Sequence, residues 1–268
     1  MAVNAVDAAT VVLLRDQGKG YLETLLMRRP TAARAFPGVF VFPGGKVEWS
    51  DQQLSPSRWS SARDLRWWRE ELDAATEDAA LGYLVAAIRE TFEEAGVLFA
   101  QHSDGRPVGK HYLDRPSVMA ARAGLSTHNT ACDWSAWLSS EGLVLDFDAL
   151  RFWSWWVTPR TSPYRFDTRF FVARQPDDQV ARVDQQELTE IRWLPPRDAL
   201  EGFADRSLPL LNPTARTIEL LAEFESTEEA LCAAASGRVD RRRNGPPAVV
   251  TDSPDGRSAG QCSQAPPG

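Results

Sequence analysis

The chain has 268 residues, 43% hydrophobic and 25% charged, and carries a net charge of −7. That supplies enough apolar material for one sizeable core in one or two domains. The acidic balance argues against binding a nucleic-acid backbone, which calls for a basic surface, and no apolar run of about 18 residues marks a membrane span.

Residues 8–14 (Ala-Ala-Thr-Val-Val-Leu-Leu) read as a buried strand, and Tyr21–Arg28 as its hairpin partner across a turn at Asp16–Gly20. Residues 30–38 form a Pro- and Ala-containing loop. Val39–Phe42 is a short strand that runs into Pro43-Gly44-Gly45, a turn signal. Residues 52–81 mix Trp59, Trp67 and Trp68 with many charges and read as an inserted helical segment. Residues 82–95 predict a strong helix, because Leu84, Ala87, Ile88, Thr91, Phe92 and Ala95 recur at three- and four-residue steps. Gly96 suits the left-handed position that ends it.

Residues 101–150 read as a largely helical or irregular insertion, with helices near 116–123 and at Trp134–Glu141. Phe152–Val157, Arg169–Ala173 and Glu190–Leu194 are strands, the last stopped by Pro195-Pro196. Pro213–Ala230 predicts one amphipathic helix with a proline near its start. From Gly237 to Gly268 the composition is that of a disordered tail, which leaves residues 1–236 as a single domain. The mixed order of strands and helices implies an α/β or α+β layered fold.

Cys132, Cys232 and Cys262 include no CxxC pair, which excludes a thiolate zinc cluster and fits unpaired thiols in a reducing compartment. The N-terminus has no basic-then-apolar pattern, and the closing Ala-Pro-Pro-Gly carries no address signal. The expected location is the cytoplasm. His102, His111 and His128 read as surface or packing residues, and no Ser-His-Asp set or Walker loop is visible.

The chemistry centres on Arg89-Glu90-Thr91-Phe92-Glu93-Glu94-Ala95-Gly96-Val97. Glu90, Glu93 and Glu94 stand at i, i+3 and i+4, on one side of a helix, where like charges repel by roughly 0.2–0.5 kcal/mol per pair. They also occupy the last turns, where the helix dipole disfavours negative charge. A divalent cation would reverse both penalties, since hard cations want carboxylate oxygens. By itself the cluster is equally a solvated acidic face.

Context decides between these readings. Gly45 follows a strand, and Lys46, Glu48 and Asp51 follow Gly45. The set resembles the Nudix hydrolase box: Gly, five residues, Glu, seven residues, then Arg-Glu-apolar-x-Glu-Glu-x-Gly-apolar. Gly45, Arg89, Glu90, Glu93, Glu94, Gly96 and Val97 match it. Thr91 stands where an apolar residue is usual, and the box's first Glu falls on Asp51. Here 37 residues, not seven, separate Asp51 from Arg89, and the excess is close to 52–81.

The resemblance implies a Nudix α/β/α sandwich with a mixed central sheet and a helical insertion. It implies Glu90, Glu93 and Glu94 as ligands of Mg²⁺ or Mn²⁺, with the Gly45 backbone as a further ligand. Glu93 or Glu94 would double as the base, Arg89 would orient them, and Asp51 and Glu187 are candidate extra carboxylates. Such cations neutralise a diphosphate and acidify an attacking water.

Upstream, Leu25-Leu26-Met27-Arg28-Arg29-Pro30, Arg34, Gly38 and Phe42-Pro43-Gly44-Gly45 are similar, without a gap, to the signature of coenzyme A diphosphatases within that family. Met27 and Pro30 depart from it. Arg28, Arg29 and Arg34, with Gly44 and Gly45, would then bind substrate phosphates, guanidinium groups being suited to phosphate geometry. Solvated surface arginines are the alternative. The split box and the segment Arg165-Phe166-Asp167-Thr168-Arg169-Phe170-Phe171 resemble a peroxisomal coenzyme A diphosphatase branch of animals. The implied partner is a small coenzyme A-like nucleotide, with no nucleic acid or membrane partner and a homodimer left open. ADP-ribose, a dinucleotide, or turnover-free ligand binding are the alternatives.

Overall fold

The computed structural model describes residues 4–18, 21–33, 35–126, 133–183 and 188–239. Arg34, Cys132, Cys262, His128, Glu187 and the expected tail from 240 onward lie outside the described residues.

The chain opens with β1 (Val6–Gln17) and β2 (Tyr21–Arg28), followed by β3 (Phe40–Val41) and β4 (Gly44–Lys46). β1 is the organising strand. It pairs antiparallel with β2 through Leu14–Gln17 and with β4 through Ala8–Thr10. Its other edge runs parallel to β9 (Phe166–Arg174) from Val6 to Leu14. β8 (Arg151–Val157) flanks β9, and β10 (Glu190–Leu194) flanks β2, giving the order β10-β2-β1-β9-β8 in a mixed sheet.

β1 is apolar on both sides because helices cover both faces of the sheet, and strand geometry sorts successive side chains to opposite faces. Ala9, Val11 and Leu13 enter one core with Leu25, Met27, Phe171 and the helix α2 (Glu77–Ala95). Val12 and Leu14 enter the other with Leu26, Phe170, Val172 and three later helices, α6 (Pro196–Ala204), α7 (Asn212–Leu221) and α8 (Thr227–Ala235). Each fully buried Val or Leu contributes roughly 1.5–3 kcal/mol. The result is the α/β/α sandwich with a mixed sheet.

Between β4 and α2 the chain makes two 3₁₀ turns (Ser50–Gln53 and Pro56–Arg58), β5 (Trp59–Ser60) and α1 (Leu65–Glu71). Of the expected helical insert 52–81, only α1 and the first turn of α2, from Glu77 to Leu81, are therefore α-helical. Asp64 caps α1 by accepting from the Trp67 N–H at 2.8 Å. After α2 come β6 (Ala100–His102), α3 (Lys110–Leu113), α4 (Pro116–Ser126), α5 (Trp134–Ser140) and β7 (Leu143–Asp146). β5, β7 and β6 join in a second, three-stranded sheet. So the 101–150 stretch, expected to be helical or irregular, also contributes two strands, and both insertions build one substructure.

Other differences are local. Pro43-Gly44-Gly45, expected as a turn, leads into β4. Pro195-Pro196, expected only to stop a strand, also starts α6, because proline is tolerated at the first helical position. The expected helix Pro213–Ala230 is two helices. Ser226 interrupts it by accepting from the Glu229 N–H at 3.2 Å, and the Glu229 side chain accepts from the Glu225 N–H at 3.0 Å, a near-reciprocal capping pair. Cys232 is disulfide-bonded, contrary to the expectation of unpaired thiols. Among the described residues no helix is long and apolar enough to cross a membrane.

Candidate active site

α2 begins where Thr76 accepts from the Ala79 N–H at 3.1 Å, with Glu77 and Asp78 in the first turn, where the dipole favours them. It ends at Gly96, whose φ of 68° lies in the left-handed region, with the Gly96 N–H donating to the Phe92 carbonyl at 2.9 Å. Thr91 is fully buried there, and its hydroxyl donates to the Ala87 carbonyl at 2.7 Å, which satisfies its polar atom at a position where an apolar residue is usual.

Glu90, Glu93 and Glu94 are buried, at 8%, 5% and 4% exposure. Arg89 stands among them. Its Nε and Nη2 donate to the two oxygens of Asp51, each at 2.9 Å, in a bidentate pair. Nη1 donates to Glu90 at 3.0 Å and Glu93 at 3.1 Å, and Nη2 also donates to the Lys46 carbonyl at 2.9 Å. The Glu48 N–H donates to Asp51 at 2.8 Å. Asp51 thus anchors the arginine that orders the glutamates, and the 37-residue separation loops out without breaking this pairing. Gly82 helps, since a Cβ there would lie 2.7 Å from Gln52 and 2.8 Å from Val47, so its absence lets the loop lie against α2.

β4 brings the glycines to the same place. The Gly44 N–H donates to Glu94 Oε2 at 2.8 Å. Gly44 has φ 156°, and a Cβ on it would meet the Ala9 carbonyl at 2.4 Å. A Cβ on Gly45 would lie 2.4 Å from Glu90 Cδ. The Gly45→Ala variant should therefore displace Glu90, cost about 1–3 kcal/mol in stability and lower kcat on the order of 10²-fold, as misplacing a reacting group by about 1 Å does. Turnover and thermal melts measured together check this, and a wild-type kcat would count against the close approach.

Burial pushes the Glu90 carboxyl up, to about 8. Arg89 opposes the shift, while Glu93 and Asp51 add to it. Burial also raises Asp51, against the pull of Arg89. A carboxyl whose folded pKa is raised binds a proton that the unfolded chain releases, so stability falls as pH rises between the ordinary value of 4.5 and about 8. A divalent cation requires the deprotonated form and gives the opposite trend. In chelator the Tm should drop as pH rises from about 5 to about 8, and the increment produced by Mn²⁺ should widen over the same window. Melting curves with EDTA and with Mn²⁺ measure both trends, and a flat cation-free curve would contradict the assignment.

The donor types fit Mg²⁺ or Mn²⁺, which take carboxylate and carbonyl oxygens. Three buried glutamates and Asp51 carry more negative charge than Arg89 alone balances. Among the described residues, no three His, Cys, Asp or Glu side chains are gathered in ligand positions around one point. The hydrogen bonds give the reason: Glu90 and Glu93 turn to Arg89, and Glu94 to the Gly44 N–H.

The arginines expected at the substrate lie at the end of β2. Arg28 donates to the Gly38 carbonyl at 3.4 Å, and Arg29 to the Ala35 carbonyl at 3.1 Å. Both shape the 30–38 loop that leads to Gly44. Arg28 pairs with Glu190 at 3.6 Å and lies over the Phe40 ring. Arg192, absent from the sequence reading, lies over the same ring as Arg28, at 4.9 Å. Its place follows from the β2–β10 register, in which Glu190 faces Arg28, a pairing that no local pattern announces.

The profile of the NUDT19 Nudix domain matches residues 64–220, more than half of the chain. Acyl-coenzyme A diphosphatase NUDT19 of Gallus gallus is 28% identical over 77% of this chain and 63% of its own. The Xenopus laevis protein of the same name is 24% identical over 77% and 61%. The chain spans 55% to 66% of the length of the curated relatives it matches. The crystal structure of a Nudix hydrolase from Alicyclobacillus acidocaldarius superposes with a TM-score of 0.69 at 33% identity, covering 85% of this chain and 96% of that one. With the glycine strand, the Arg89–Asp51 pair and the glutamate helix in one place, the chain belongs to the Nudix hydrolases, in the family of the NUDT19 Nudix domain.

Proposed function

We propose that this chain hydrolyses the diphosphate of coenzyme A or its acyl thioesters, with Mg²⁺ or Mn²⁺, to give 3′,5′-ADP and 4′-phosphopantetheine or its acylated form. The observation that carries the reading is the close packing of Gly44 and Gly45 against Glu94 and Glu90, beside an arginine paired across the insertion. The relatives named acyl-coenzyme A diphosphatase support the substrate class.

Glu90, Glu93 and Glu94, with the Gly45 carbonyl, would hold the cations. When bound, these supply charge neutralisation and Lewis acidity at the diphosphate. Arg89 holds Glu90 and Glu93 in fixed rotamers, and the Gly44 N–H holds Glu94. Glu93 or Glu94 accepts the proton of the water that attacks phosphorus, the P–O bond of the bridge breaks, and the leaving phosphate departs as an anion. Arg28 and Arg29 bind the outer phosphate of the nucleotide, a role for which Arg34 and Glu187 remain further candidates on the phosphate and metal side respectively.

The test is a screen of the full chain with Mg²⁺ and Mn²⁺ against coenzyme A, acetyl- and longer acyl-coenzyme A, ADP-ribose and dinucleoside polyphosphates, with products identified by mass. Release of 3′,5′-ADP is the expected result. Cleavage of ADP-ribose or dinucleotides with coenzyme A untouched would overturn the substrate. Ligand binding with no turnover on any diphosphate would overturn the activity.

A further inference from the structure

α2 carries its three glutamates in the last two turns and no basic residue in the last turn. Its last carbonyls have no partner within the helix. They are met from outside. Arg122, on α4, donates from Nε to the Glu93 carbonyl at 2.9 Å and from Nη2 to the Glu94 carbonyl at 2.8 Å. The same Nη2 donates to the Arg182 carbonyl at 2.7 Å, and the Arg182 N–H donates to the Ala95 carbonyl at 2.7 Å. A Cβ on Gly96 would lie 2.7 Å from Arg122 Nη1, so a bare residue at 96 admits the guanidinium.

We propose that Arg122 is a positioning residue of the hydrolytic site. It fixes the backbone of Glu93 and Glu94, and ties that turn to α4 and the 180–183 segment. The physical argument is specific to these two residues. The Gly96 N–H already closes the helix onto Phe92, so Arg122 is not needed to stop α2. Its two bonds go to the residues whose carboxylates must converge on a cation, and its positive charge sits at the negative end of the helix dipole, where those carboxylates are otherwise disfavoured. Without it the last turn can fray, and both carboxylates move with it.

This inference rests on the hydrolase reading, and the experiment separates the two. Wild type, Arg122→Ala and Arg122→Lys are compared for kcat, KM, Tm and, without substrate, the Mn²⁺ dissociation constant by electron paramagnetic resonance. Arg122→Ala should lose on the order of 10-fold or more in kcat with KM unchanged and should weaken Mn²⁺ binding severalfold. Arg122→Lys should recover part of both. Ser226→Ala, which removes the cap of α8 in the opposite layer, should lower Tm and leave kcat and Mn²⁺ affinity alone. If Arg122→Ala does not fold, Gly96→Ala, which pushes the guanidinium aside, should give the same pattern at smaller size. A wild-type kcat and Mn²⁺ affinity in Arg122→Ala, with only Tm lowered, would overturn the proposal. If wild type turns over no diphosphate, the hydrolase reading fails, and the Mn²⁺ comparison still decides whether Arg122 sets the carboxylates.

Discussion

Arg89→Leu should destabilise the cation-free protein by about 3–5 kcal/mol, the usual cost of removing one partner from a buried ionic network. The arginine side chain is 4% exposed and ion-paired to Asp51, Glu90 and Glu93. Leucine fills part of the volume but leaves those carboxylates without their guanidinium, in a place where burial already penalises charge at Glu90 and Asp51. Lysine at 89 restores charge but not the fork that reaches both oxygens of Asp51, so it should recover only part of the loss. Denaturant titrations in chelator measure this. A loss below about 1 kcal/mol, the scale of an exposed pair, would mean that the network contributes little. Because Arg89 also orders Glu90 and Glu93, kcat should fall even where saturating Mn²⁺ restores the fold.

Much of this site was readable before the fold. A continuous apolar run and the turn at Asp16–Gly20 mark β1 and β2, and three- and four-residue spacing with Gly96 marks α2, because each signal is local. The site residues Gly45, Arg89, Glu90, Glu93 and Glu94 followed from a spaced motif, and the structure brings them together. What stayed hidden depends on contacts far apart in the chain. β5 and β7 pair at Trp59 and Leu145, and β6 joins them at Ala100; strands this short have no pattern until they find each other. The start of α2 at Thr76 was legible in principle from its cap and the acidic first turn, but the surrounding charges drew the reading toward one undivided insert. Arg122 could not be read at all, because its partners are backbone carbonyls, which every residue possesses. Asp51 shows the converse. It is the shorter carboxylate where the box has Glu, yet both its oxygens reach Arg89, because the 3₁₀ turn at Ser50–Gln53 carries it against α2.

Glu94→Gln should lower kcat by roughly 10²–10⁴-fold, the range for removing a general base, while leaving the fold intact. The amide keeps the size of the side chain and an oxygen that can accept the Gly44 N–H, now received by Glu94 Oε2 at 2.8 Å. What it loses is the negative charge and the capacity to take a proton. Glu93→Gln is the informative counterpart, because Glu93 Oε1 is held by Arg89 at 3.1 Å. If Glu94 is the base, the larger loss falls at Glu94. Both variants need measuring at saturating Mn²⁺ and substrate, with substrate affinity followed by calorimetry. If Glu94→Gln retains more than about a tenth of kcat while Glu93→Gln does not, the proton goes to Glu93. On the proposed reading, in which arginines outside α2 hold the phosphates, substrate affinity should survive in Glu94→Gln, and the variant would serve as a trap for identifying the natural diphosphate.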